Sequence, residues 1–221
     1  MVITAKSNFY RTGSARGQSS VPGPDIREDL IGQVGFHDRG FVMTKPTSAF
    51  SPWLQERSAN LHRRIGGNGT NMTDGLRVAL QLVSKAPRSM YRRIWLLSDG
   101  YPNRETDSLA RVVSEARNAW TNINTVGIGD NYAEKLLRQI AGATHNGKFV
   151  SVQSLRQLTD ALVIAENSSA KNRQFHRREM TVFAIDLSGS MTMGMEGHKT
   201  RIAVVEEALL HLLKYKQTCF A

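Results

Sequence analysis

Short runs of β-branched and aromatic residues alternate along this chain with segments of helical periodicity, and that alternation limits the fold more than any single motif. Thr181–Ile185, Arg93–Leu97 and Ile123–Ile128 are dominated by apolar residues, the pattern of strands buried on both faces. Phe149–Val152 is a shorter run of the same kind. Leu76/Ala79/Leu80/Val83, Leu109/Val112/Val113/Ala116/Trp120, Tyr132/Leu136/Leu137/Ile140, Leu155/Leu158/Leu162/Val163 and Ile202/Val205/Leu209/Leu212 recur mostly at three- and four-residue intervals, as amphipathic helices do. Such alternation predicts an α/β fold: a mostly parallel sheet with helices on both faces. Gln33–His37 and Phe41–Thr44, separated by Asp38-Arg39-Gly40, read as a hairpin that contributes one antiparallel edge strand, with Lys45-Pro46 ending it. Six strands are expected in all.

With 221 residues, of which 40% are hydrophobic, the chain has material for one such core. Its single cysteine, Cys219, excludes an internal disulfide. No apolar run approaches membrane-spanning length, and Met1–Asn8 lacks the apolar block of a signal peptide; together these point to a cytoplasmic protein. Residues 1–29 show neither helical nor strand periodicity and read as a mobile or late-docking arm. Residues 30–221 form the expected domain, within which the polar, basic stretch 168–179 reads as a linker.

Three polar stretches stand at the carboxyl ends of expected strands, where open α/β sheets bind ligands. Asp186, Ser188 and Ser190 follow Thr181–Ile185 at two-residue spacing, with Gly189 between the serines. One carboxylate and two hydroxyls are hard oxygen donors, suited to Mg²⁺, Mn²⁺ or Ca²⁺ rather than zinc. On its own this spacing also fits a strand-to-helix turn in which Asp186 or Ser188 caps the next helix. Gly66-Gly67-Asn68-Gly69-Thr70-Asn71 opens a helix, with Thr73 or Asp74 as its expected N-cap; no Gly-Lys-Ser/Thr follows, so it is not a phosphate-binding P-loop. Ser98-Asp99-Gly100 ends a second strand and Gly129-Asp130 a third.

Asp186-Leu-Ser-Gly-Ser, Gly69-Thr70-Asn71 and Leu97-Ser98-Asp99-Gly100 together resemble the three pieces of a metal-ion-dependent adhesion site, the signature of von Willebrand factor A domains. The resemblance covers roughly residues 30–221. It implies a Rossmann-like, doubly wound sheet and a divalent cation, Mg²⁺ or else Mn²⁺ or Ca²⁺. Asp186, Ser188, Ser190, Thr70 and Asp99 would hold the ion, both serines directly and the two aspartates through water. The open coordination position would take a carboxylate from a partner. In that family the Asp-x-Ser-x-Ser strand and its helix come first, whereas here they come last. A circular permutation accounts for the order, with the 168–179 linker joining what are the two ends in the family. It is physically cheap, because domain termini lie at the surface and often close together.

Two functions from different classes follow. The first is a non-enzymatic, metal-dependent module that docks the Asp or Glu of a protein partner; intracellular members of the resembled family often serve AAA+ ATPase machines. The second is a nucleic-acid-binding or nucleoprotein-assembly protein, suggested by the net charge of +10. Arg92 and Arg93 precede one inner strand and Arg177 and Arg178 another, so the two pairs are expected side by side on the face opposite the metal. A hydrolase is disfavoured, since no general base stands out beside Asp186 and Asp99. The six histidines share no metal-ligand spacing.

Overall fold

β6, the last strand in the sequence, lies in the middle of the sheet. The computed structural model describes residues 29–170, 178–195 and 199–220. Its strands are β1 (Leu30–Phe36), β2 (Gly40–Ser48), β3 (Tyr91–Ser98), β4 (Thr121–Ile128), β5 (Phe149–Val152) and β6 (Glu179–Asp186). They form one six-stranded sheet in the order β2-β1-β6-β3-β4-β5. All neighbours are parallel except β1 and β2. Every residue of β6 is buried, which explains why its middle, Val182–Ile185, is continuously apolar rather than alternating.

Among the described residues, six α-helices cover the two faces: α1 (Pro52–Ser58), α2 (Met72–Val83), α3 (Leu109–Asn118), α4 (Glu134–Gly142), α5 (Leu155–Ala170) and α6 (Arg201–Phe220). Successive side chains of a strand point to opposite faces, and β6 shows the consequence. Phe183 and Ile185 join Leu54 of α1, Leu158 and Leu162 of α5, and Val205, Leu209 and Leu212 of α6 in one core. Val182 and Ala184 join Leu76 and Ala79 of α2, Val112 and Val113 of α3, and Leu137 and Ile140 of α4 in the other.

Three local expectations change. Pro46 does not end β2 but lies inside it. The strand is at the sheet edge, where a missing N–H breaks no ladder, and the pairing register shifts between Ile31, Gln33 and Val34. Gly32 faces the proline there: a Cβ at Gly32 would lie 3.3 Å from Pro46 Cγ. The linker is shorter at both ends, since α5 continues through Ala170 and β6 starts at Glu179; nothing in Ser168-Ser169-Ala170 breaks a helix already under way. The cap of α2 is Asn71, whose side chain accepts the Asp74 N–H at 3.0 Å, rather than Thr73 or Asp74. The arm at 1–28 and the centre of the linker, 171–177, lie outside the described residues.

Candidate metal centre

β1, β6 and β3 run parallel, so their carboxyl ends share one rim. The chain continues outward from β6 on one side through β1 and β2, and on the other through β3, β4 and β5. The crevice at the end of β6 is therefore the place where such a sheet accepts a ligand.

Asp186 closes β6 and is fully buried. One carboxylate oxygen accepts the Ser98 hydroxyl of β3 at 2.7 Å, and the other accepts the Ser188 backbone N–H at 2.9 Å. Burial pushes this carboxyl up to about 6, against the bonds from Ser98 and Ser188, which favour its charge. A cation beside it would act in the same sense as those bonds. Ser188 Oγ lies 3.0 Å from Ser190 Oγ, and the Ser190 hydroxyl donates to Asp99 at 2.9 Å. Thr70 is fixed through its backbone: its N–H donates to the Asn103 side chain at 2.9 Å, and the Asn103 N–H returns a bond to its carbonyl at 3.3 Å. Gly100 completes the crevice. A Cβ there would stand 3.5 Å from Thr70 Oγ1 and 4.0 Å from Ser190 Oγ, so the missing side chain leaves room between those hydroxyls.

Backbone bonds tie the surrounding loops together. The Leu187 N–H donates to Phe36 O (2.8 Å), Gly66 N–H to Leu187 O (3.0 Å) and Asn71 N–H to His37 O (2.6 Å). Glu105 braces the other side, accepting from Arg77 and from the Asn71 side chain. The Arg77 bond, then the Asn71 bond, hold its carboxyl below the usual range.

The five residues expected at the site, Asp186, Ser188, Ser190, Thr70 and Asp99, thus come together from three loops. They present only hydroxyl and carboxylate oxygens, and that donor set fits a hard divalent cation. Three further residues matter that sequence reasoning did not assign. Ser98 holds Asp186. Asn103 holds Thr70. Arg201, the first residue of α6, places a guanidinium nitrogen 2.6 Å from Asp99. A cation opening a helix opposes the macrodipole, and that misfit was the available signal for Arg201. Asp130 has a bracing role, accepting from Gln153 at 2.9 Å. Asp74 accepts the Gly40 N–H at 2.7 Å and pairs with Arg77.

The four arginines expected on the opposite face do not form one open patch. Arg93 is buried, with its guanidinium 3.2 Å from Glu179, so its charge is met inside the fold. Arg92 donates to the carbonyls of Ala86 and Ala119 at 2.5 and 3.3 Å. Arg178 is exposed, and Arg177 lies outside the described residues. His62 bonds Glu206 at 2.7 Å and His145 stacks on Trp120. Among the described residues no group of three or more His, Cys, Asp or Glu side chains could hold a metal, so a cation site here depends on hydroxyls.

The family model of the von Willebrand factor type A domain matches residues 46–163, more than half of the chain. The chain belongs to the von Willebrand factor type A family. Among solved structures, this type A domain is similar to a von Willebrand factor type A protein from Catenulispora acidiphila, at 26% identity and a TM-score of 0.51. The match covers 63% of this chain and 33% of that one, so the type A domain here corresponds to about a third of the larger protein. An uncharacterized membrane spanning protein from Vibrio fischeri matches at 23% identity with a TM-score of 0.32, covering 66% of this chain and 77% of that one. No curated protein matches. Among the described residues of the type A domain, no helix is long and apolar enough to cross a membrane.

Proposed function

We propose that this von Willebrand factor type A domain is a circularly permuted, non-catalytic binding module. Its Asp186, Ser188, Ser190, Thr70 and Asp99 oxygens hold Mg²⁺, with Mn²⁺ or Ca²⁺ as substitutes, and the ion receives an Asp or Glu side chain from a protein partner. The observation that carries this reading is the continuous chain of oxygens from Ser188 through Ser190 to Asp99, with Thr70 facing the same gap above Gly100. When bound, the ion supplies a positive charge that outweighs any side chain nearby. The protein's part is to hold the oxygens in place and leave a position open. Neither serine has the base of a nucleophile, since Ser190 donates to Asp99 and no histidine is bonded to either hydroxyl among the described residues.

Permutation is supported by the position of β6. This strand and α6 follow α5 in the sequence, yet β6 sits between β1 and β3, while the family match ends at residue 163, before β6 begins. An AAA+ machine is the partner class proposed.

Titration calorimetry with MgCl₂ and MnCl₂ tests the site, and a pull-down with and without EDTA tests the docking. Binding of either ion to the wild type, lost in Ser188→Ala/Ser190→Ala, is expected. A partner retained equally in EDTA and in Mg²⁺ would remove the metal from the docking step.

A further inference from the structure

The opposite end of the sheet carries a cleft that the metal site does not use. It has a volume of about 700 Å³ and opens between the amino ends of β3 and β4 and the loop before β5, a size suited to a small organic ligand. Arg88, Arg92, Asn118 and Asn146 are among the lining residues, and no acidic residue lines the cleft among the described residues. Arg92 donates from its two terminal nitrogens to the Ala119 and Ala86 carbonyls, while its Nε is buried without a hydrogen-bond partner.

Trp120 forms the lip. It directly follows the C-cap of α3 with φ of 53°, the left-handed conformation that glycine normally supplies at this position and that a bulky side chain rarely adopts. The fold nevertheless holds a tryptophan there, stacked on His145 with ring centroids 4.3 Å apart and planes 13° from parallel. His145 is itself positioned by its neighbour, because the Asn146 N–H donates to the Asn122 side chain at 3.1 Å. One indole face is covered by the imidazole, yet Trp120 remains 74% exposed. Backbone strain spent on presenting an aromatic face to solvent points to a ligand rather than to packing.

We propose that this cleft binds a nucleotide unit, with the base stacked on the open face of Trp120 and the phosphate on Arg88 and Arg92. Aromatic platforms beside cations recognise nucleotides in this way without reading a particular base. The unit can be a free nucleotide or part of a single strand, and the cleft is independent of the metal site.

The test uses fluorescence anisotropy of a labelled 12-nucleotide oligouridylate in 50 mM salt, repeated across a salt series and in EDTA. Binding that weakens with salt, ignores EDTA and falls roughly tenfold or more in Trp120→Gly and Arg88→Glu is expected. Glycine relieves the strain at φ of 53°, so Trp120→Gly should keep or raise the melting temperature while losing affinity, a combination that a purely structural tryptophan would not give. Competition by uridine monophosphate at similar concentration would assign the cleft to free nucleotides, and competition by strands alone would assign it to single-stranded nucleic acid. Photo-crosslinking of 4-thiouridine to the unmutated protein should label the peptide bearing Trp120 or His145. No binding of oligonucleotide or mononucleotide at 50 mM salt, affinity unchanged in Trp120→Gly, or crosslinks confined to other surfaces would overturn the proposal.

Discussion

The Arg201 guanidinium lies 2.6 Å from one oxygen of Asp99, while the other oxygen of that carboxylate accepts the Ser190 hydroxyl at 2.9 Å. Asp99 is fully buried and Arg201 nearly so. Gly129, at φ of 81°, passes beneath the guanidinium, where a Cβ would stand 2.9 Å from Arg201 Nε. Arg201 is therefore a resident cation at the rim of the candidate metal centre.

Replacing Arg201 by Met leaves Asp99 buried without its counter-charge. Breaking a buried pair from one side costs about 3–5 kcal/mol, and urea unfolding in EDTA should show a loss of that order. A divalent ion would supply the missing positive charge, so Mg²⁺ should stabilise Arg201→Met more than it stabilises the wild type. Equal Mg²⁺ shifts in both proteins would mean that Asp99 does not sense the ion.

Asp186 lies deeper than a residue expected at the rim. Alanine at this position would strip partners from the Ser98 hydroxyl and the Ser188 N–H, at a cost of about 1–3 kcal/mol for each buried group left unsatisfied. Asp186→Ala therefore mixes a folding defect with a binding defect. Asp186→Asn keeps an acceptor for Ser188 and a partner for Ser98, and removes a charge that burial disfavours. The asparagine variant should unfold within about 1 kcal/mol of the wild type while titration calorimetry shows Mg²⁺ binding lost.

Gly75 lies on the buried side of α2, where a Cβ would stand 2.5 Å from Phe36 Cδ1 and 2.7 Å from Cγ. Helix propensity alone favours alanine over glycine by about 1 kcal/mol. Phe36 is fully buried and has no room to yield, and overpacking costs about 1–3 kcal/mol. Gly75→Ala should therefore lower stability in thermal melts; a stabilised variant would show that Phe36 can move.

Lys216 of α6 and Asp29 form another buried pair at 3.2 Å, with side chains 3% and 2% exposed. Asp29 also accepts the Glu179 N–H at 2.8 Å, which ties the start of β6 to the residue before β1. Lys216→Met should cost about 3–5 kcal/mol. Adding Asp29→Asn, which removes the buried carboxylate charge and keeps an acceptor, should recover part of that loss. A double-mutant cycle by denaturant titration measures the coupling.

Local periodicity determined much of this protein. The apolar runs at 93–97, 123–128, 149–152 and 181–185 became β3, β4, β5 and β6, and the helical patterns became α2 to α6, because burial on one or two faces writes itself into residue spacing. The candidate ligands were legible for a related reason: a polar residue just past a buried strand, as at Asp99 and Asp186, has to sit at the sheet's end. Tertiary structure alone decided who their partners are. Ser98 meets Asp186 across 88 positions, Ser190 meets Asp99 across 91 and Arg201 meets Asp99 across 102. These distances follow from strand order, which periodicity does not encode; nothing in the pattern of β6 itself marks it as the central strand. The same holds for Arg93, whose neighbours in the sequence suggest an exposed basic pair. Glu179 stands in the adjacent strand, two positions out of register, and it turns that arginine into a buried ion pair. Trp120 reads in the sequence as one more apolar position of α3, and only the backbone after the helix, turned to positive φ, sends it outward.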